Sequence, residues 1–242
     1  MNKRMDYKKY NNKFEYSYSF GAFTTINMIK YKSAVVTCVL LHSDLEENSM
    51  NTVVTLCKKY DIPYKENCDK IIEKIRNKEN CNVIGIFKKY EENLDLVANH
   101  VVLVNPSDMG NIGTIIRTCL GFNIYNIAII RPGVDIFNPK VIRASMGAIF
   151  QINFKYYDSF QEYKGSFKEH DFYPFMLDGA IDLKSFTRPL EKKYSLIFGN
   201  ESSGLDSTFS NIGQSIVIKH NDKIDSLNLG VAVGVALNTF SN

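Results

Sequence analysis

Short apolar runs separated by polar turns recur along the whole chain, and helical spacings fall between most of them. Residues 1–18 read as a loosely packed lead-in. Residues 20–32 place Phe23, Ile26, Met28 and Ile29 at helical spacing. SAVVTCVLLH at 33–42 is a strand by its β-branched content. Residues 51–60 have a helical pattern broken at Ile62-Pro63, residues 65–78 predict another helix, and NVIGIF at 82–87 another strand. Helix and strand alternating over this span suggest a small α/β/α sandwich, with the charged stretch 90–95 as linker. The first predicted division is therefore 1–95 and 96–242.

The second part alternates more regularly. HVVLV at 100–104 is a buried strand, and Asn105-Pro106-Ser107-Asp108 a turn. A helix is expected over 110–120 and stopped by Gly121, then a strand over 124–130 and a turn at Pro132-Gly133. A helix over 138–146 has Pro139 in its first turn, where the missing N–H does no harm. Strands are expected at 149–154, 172–177, 195–198 and 215–218, with a short helix at 159–163. Six strands alternating with helices predict a mostly parallel sheet covered on both faces. The stretch 227–240 is almost wholly small and apolar, as in a helix buried on most of its circumference. At roughly 14 residues it is shorter than the ~20 that span a membrane.

Composition narrows the class without deciding it. With 45% hydrophobic residues among 242, the chain has material for a real core. Its start is charged and aromatic and lacks the apolar centre of a secretion signal. Five cysteines, odd in number and without a CxxC pair, read as reduced thiols of a cytoplasmic protein rather than a disulfide set or metal site. Residues 1–95 hold 16 Lys+Arg against 13 Asp+Glu, and the rest hold 13 of each, so the net charge of +3 lies wholly in the first part. That points weakly to a nucleic-acid partner there. Lys88-Lys89-Tyr90, Tyr16, Tyr18 and Phe20 offer charge and stacking for RNA, or an ordinary solvated edge.

Polar residues gather where strands end, which is where open α/β sheets place ligands. Asn111 opens the 110–120 helix, and Arg117 follows among apolar neighbours. There it either covers the core with its stem or holds a phosphate or hydroxyl. GNESSG at 199–204 fits neither phosphate-loop pattern. It reads as a helix cap with an acidic first turn, or as a loop where Gly199 admits a flat ring to the backbone. Ser226 reads as the N-cap of the last helix. The absence of GxGxxG after any expected strand argues against a dinucleotide-dependent oxidoreductase. None of His42, His100, His170 and His220 lies in a metal-ligand or Ser-His-Asp pattern.

In order, three segments are specific. PSDMGNIGTIIRTCLGF, LIFGNESSGL and IVIKHNDKIDSLNLGVAVGVAL resemble the three motifs of the SpoU-type ribose 2′-O-methyltransferases of the SPOUT superfamily, and cover the chain from about His100 onward. More loosely, GAFTTINMIK and NVIGIFKKY resemble the small ribosomal-protein-like RNA-binding domain that precedes the catalytic domain in many members. The resemblance implies a knotted (trefoil), mostly parallel-sheet α/β methyltransferase domain, a homodimer, S-adenosylmethionine as cofactor, no metal and no membrane. It assigns Gly199, Ile218 and Leu227 to the methyl donor, with Leu177 and Gly179 lining the same pocket. It assigns Asn111, Arg117, Glu201, Ser226 and Asn228 to the polar active site. The usual proline after Ile218 is replaced by Lys219. The implied reaction is methyl transfer to a ribose 2′-hydroxyl in structured RNA, rRNA before tRNA. A non-catalytic RNA-binding protein that keeps the fold is the alternative.

Overall fold

The computed structural model describes residues 7–76, 81–187 and 192–240. In chain order the elements begin β1 (Tyr16–Phe20), α1 (Ala22–Lys32), β2 (Val36–Leu41), α2 (Glu47–Lys59), β3 (Tyr64–Lys65), α3 (Asp69–Ile75) and β4 (Val83–Lys88). Then follow β5 (His100–Val104), α4 (Met109–Gly121), β6 (Asn126–Ile130), α5 (Pro139–Ala144), β7 (Asn153–Tyr157), α6 (Phe160–Ser166) and β8 (Asp171–Pro174). The chain closes with β9 (Ile181–Asp182), β10 (Tyr194–Phe198), β11 (Ile216–Val217) and α7 (Leu229–Phe240).

Two compact units result. The first runs to Tyr90 and also takes in Asp135–Gln151; the second is Glu91–Val134 with the chain from Ile152 onward. The segment carrying α5 thus groups with the N-terminal core, whereas the expected division at 95/96 leaves it with the second part.

In the first unit the sheet order is β1-β4-β2-β3. Alternation along the central strand β4 explains its two-sided burial. Ile84 and Ile86 join Tyr18, Leu40, Ile72 and Ile75 on the α3 face. On the opposite face, Gly85 abuts Met28 of α1, and Phe87 packs on Phe137 and Phe150. The lead-in is more ordered than expected. Tyr7 is buried, the Tyr18 hydroxyl donates to Lys8 O at 2.7 Å, and 16–20 is a strand. Its period-two pattern, Tyr16, Tyr18 and Phe20 against Ser17 and Ser19, carries the register with β4. Residues 1–6 lie outside the described residues, as does Lys78 at the end of the helix expected over 65–78. That helix is shorter, at Asp69–Ile75. Lys89 is not a free cation: its Nζ donates to Asn12 O at 2.8 Å, lies 3.4 Å from Asp135 and sits over the Tyr10 ring.

The second unit contains a parallel five-stranded sheet in the order β7-β6-β5-β10-β8. Val102, Ala128 and Ile197 face a cluster with Tyr163, Phe167 and Phe172. On α7, Phe240 packs among Tyr173, Phe186 and Tyr194, and α7 packs along α4. The expected sixth strand does not enter this sheet. Only Ile216–Val217 is extended, and it pairs in parallel with Ile181–Asp182 as a separate ribbon. The strand expected at 149–154 begins later, at Asn153, because Ala148–Gln151 winds into a 3₁₀ turn. The last helix keeps one exposed stripe, with Val231 and Val235 at 53% and 40% exposure, so it is less buried than its composition suggests.

At the amino ends of the strands a polar chain is buried. The Tyr163 hydroxyl lies 2.8 Å from His100 Nδ1 and 2.7 Å from Ser195 Oγ, which lies 2.9 Å from His170 Nδ1. His100 Nε2 donates to Asp95 O at 2.8 Å. Burial lowers His100 from 6.5 to about 4, and lowers His170 too. Between those two values the unfolded chain takes up the proton first, so stability falls as pH falls. The melting temperature is expected to drop on acidification through that window. His100→Asn should show a shallower drop, read by thermal melts across the range; an unchanged slope removes His100 as the cause.

Candidate active site

Three turns converge at the carboxyl end of the parallel sheet. After β5 the chain reverses through Asn105 (φ 52), and Asp108 caps α4 by accepting from Asn111 N at 2.7 Å. After β10, residues 199–204 fold back on themselves. A methyl group on Gly199 would run into the backbone of Gly204 and Leu205, so glycine is required by the loop's own crossing rather than by an approaching ring. Gly179 has the same requirement, against the backbone of Ile216 and Val217.

Glu201 joins these turns. Its carboxylate accepts from Ser107 N (3.0 Å), Ser107 Oγ (2.7 Å), Asp108 N (3.0 Å) and Asn111 Nδ2 (3.3 Å). Burial raises its pKa, but hydrogen bonds from the Ser107 hydroxyl, its own N–H and the Ser107 and Asp108 N–H groups outweigh this and hold it down at about 2. The N-terminus of α4 favours the anion further. Glu201 is therefore a fixed negative charge and too weak a base to take a proton from a hydroxyl. Asn111 Oδ1 accepts from Asn228 Nδ2 at 2.9 Å, and Asn228 Oδ1 accepts from Gly230 N at 2.9 Å. A carboxylate only accepts, so this string fixes both amide orientations. Asn228, not Ser226 as expected, caps α7.

Beside this string lies a cleft of about 370 Å³, bordered by the segments after β8, β10 and β11 and by the start of α7. Of the expected donor residues, Leu177, Gly199, Ile218 and Leu227 line it, and Gly179 supports the ribbon behind it. Of the expected polar residues, Glu201 and Ser226 line it, while Asn111 and Asn228 hold Glu201 and α7 in place. Arg117 does not join them. It is exposed and has no hydrogen-bond or ion-pair partner among the described residues. It lies six residues from Asn111 on α4, about 9 Å along the axis and turned roughly 120° away.

Ser107 and Asp108 escape a pattern-based reading because they serve Glu201 largely through backbone N–H groups, and Asn200 because its amide meets a backbone carbonyl. Asn200 Nδ2 donates to Asn105 O at 2.7 Å, tying the β10 loop to the β5 turn. His220, also on the cleft wall, donates from Nδ1 to Ile218 O at 3.0 Å. Lys219, standing where proline is usual, has its Nζ 3.2 Å from Asp182 across the β9–β11 ribbon. The Lys184 N–H, with the Lys219 ammonium, holds the Asp182 carboxyl below its usual range. All five cysteines are buried and free, and no metal-holding cluster occurs among the described residues. No helix among them is long and apolar enough to cross a membrane.

A parallel α/β sheet with a ligand-sized cleft at its carboxyl edge, walled by loops clamped to one another, defines an α/β protein built to hold a small ligand. The chain belongs to the SpoU rRNA Methylase family, whose profile matches residues 98–238. It is 31% identical over 140 residues to an uncharacterized tRNA/rRNA methyltransferase of Mycoplasma pneumoniae, covering 57% of this chain and 58% of that one. It is 28% identical to the 23S rRNA (adenosine(1067)-2′-O)-methyltransferase of Streptomyces laurentii over 60% of this chain and 54% of that enzyme. The chain thus spans little more than half the length of these curated relatives. The fold is shared with the SpoU methyltransferase AviRb of Streptomyces viridochromogenes, solved in complex with AdoMet. The TM-score is 0.81 at 17% identity, with 94% of this chain and 89% of that one covered.

Proposed function

We propose that this protein transfers a methyl group from S-adenosylmethionine to a ribose 2′-hydroxyl of structured RNA, ribosomal rather than transfer RNA. The Glu201–Asn111–Asn228 string beside the cleft carries the reading: it sets a permanent anion next to a largely apolar slot. The residues fit the donor. Leu177, Ile218, Leu227 and Leu229 offer apolar surface to a purine, and Glu201 offers charge to a cationic ligand. When bound, the donor supplies an already activated methyl group. The chain's part is to hold and align it, since positioning alone is worth several orders of magnitude.

The remaining task is to ease the hydroxyl's loss of its proton. A guanidinium is a permanent cation, suited to a developing alkoxide, while the hydroxyl proton passes to solvent water. Arg117 is given this role from across a homodimer. Its helix α4 packs along α7, whose exposed Val231–Val235 stripe offers apolar surface for a second copy, and Arg117 of the partner subunit then serves the cleft. Ser226 and Asn228 orient the ribose.

The ribosomal assignment is favoured by residues 1–90, which lie outside the family match yet fall largely within the 93% of this chain that shares its fold with an rRNA methyltransferase of Sinorhizobium meliloti. The test is incubation of purified protein and labelled donor with rRNA or with tRNA, followed by mapping of 2′-O-methyl sites. Methylation of rRNA is expected; label confined to tRNA reverses the substrate assignment. Donor binding without label in either RNA favours the non-catalytic alternative.

A further inference from the structure

We infer that the exposed face of α1, together with the turn that follows α5, is a docking surface for RNA in the first unit. This inference rests on the RNA-methylating reading above. Phe23, Tyr31 and Met146 are 60%, 53% and 44% exposed, unusual for large apolar side chains so close together in one unit. Their proximity is built in. Asn27, one turn from both Phe23 and Tyr31, donates from Nδ2 to Phe23 O at 2.9 Å. Gly147 (φ 79) brings its backbone so near Asn27 that an added Cβ would sit 2.9 Å from Asn27 Cβ. Met146, the residue before, has φ 51, a conformation bulky side chains rarely adopt, and it stands out into solvent.

Charge selects the occupant. Lys30, Lys140 and Arg143 are exposed and have no carboxylate partner among the described residues. Neither 21–34 nor 139–151 contains an Asp or Glu, although the chain as a whole carries 26. Exposed aromatic rings beside unneutralised cations suit unstacked bases and backbone phosphates. An apolar surface meant for a second copy of this chain would face the same unneutralised cations across its axis, a like-charge arrangement that disfavours association.

The test uses full-length protein carrying Lys30→Glu, Lys140→Glu and Arg143→Glu together, and separately Phe23→Ala, with rRNA fragments as probe. The triple variant is expected to bind RNA at least about tenfold more weakly, with its salt slope reduced by roughly two to three. Phe23→Ala should weaken binding severalfold without changing the slope. Donor affinity and thermal melting should stay at wild-type values in both. Wild-type RNA affinity and slope in the triple variant would overturn the inference. So would a change of oligomeric state in Phe23→Ala, which would make the patch a self-association face. If wild-type protein itself neither binds nor methylates RNA, the failure belongs to the proposed function instead.

Discussion

Arg117→Ala is expected to cut turnover by about a hundredfold or more, the scale of losing one electrostatic stabiliser, while donor binding stays at the wild-type level. The residue is exposed, partnerless among the described residues and absent from the lining of its own chain's cleft, so its removal should leave that cleft intact. Mixing supplies the sharper measurement. Subunits carrying Arg117→Ala are mixed with subunits carrying Glu201→Ala at a donor concentration low enough that each variant alone is expected to show little turnover. If the site is shared, random reassociation restores roughly a quarter of wild-type activity, because half the dimers are mixed and each mixed dimer has one complete site. No recovery on mixing, with dimers present, would return Arg117 to a role within its own subunit or to none.

Glu201→Ala is expected to weaken donor binding by roughly ten- to a hundredfold. It removes one acceptor from four donors at once, and hydrogen bonds to a charged group are worth about 1.5–3 kcal/mol each where buried, less where water can replace them. Glu201→Gln should rescue little. Its amide turns an N–H toward N–H groups that need an oxygen. Because the carboxyl is held at about 2, its anchoring is fully present above its ordinary 4.5 and is lost only as pH falls from there toward 2. Donor affinity should therefore show no step from Glu201 between pH 5 and 9. Titration calorimetry reads both effects; affinity within twofold of wild type in Glu201→Ala would dismiss Glu201 as the clamp.

The sequence carried the site further than it carried the packing. Asn111, Glu201 and Asn228 were each singled out from separate segments, and the fold joins them in one hydrogen-bonded string. Ser107 and Asp108 are not legible in the sequence, because backbone N–H groups leave no mark in a residue pattern. Composition points to Ser226 for the cap that Asn228 takes, since both are good caps and only the chain's path decides between them. The run SIVI has a core strand's composition, but only Ile216 and Val217 are extended, and their partner is Ile181–Asp182, a pair too short to signal itself. Periodicity likewise finds the helix after Asn138 but is blind to which core that helix joins.

That last point bears on how the protein can be taken apart. Because Phe137 and Phe150 complete the packing around Phe87, a fragment cloned to end at residue 95 would present a raw hydrophobic wound, and one starting at 96 would trail an orphaned hairpin-like excursion. Swapping the N-terminal portion between relatives, by recombination or at the bench, must transplant the stretch 135–151 along with it. A graft that replaces Phe87 without its partners Phe137 and Phe150 would leave mismatched rings in one core.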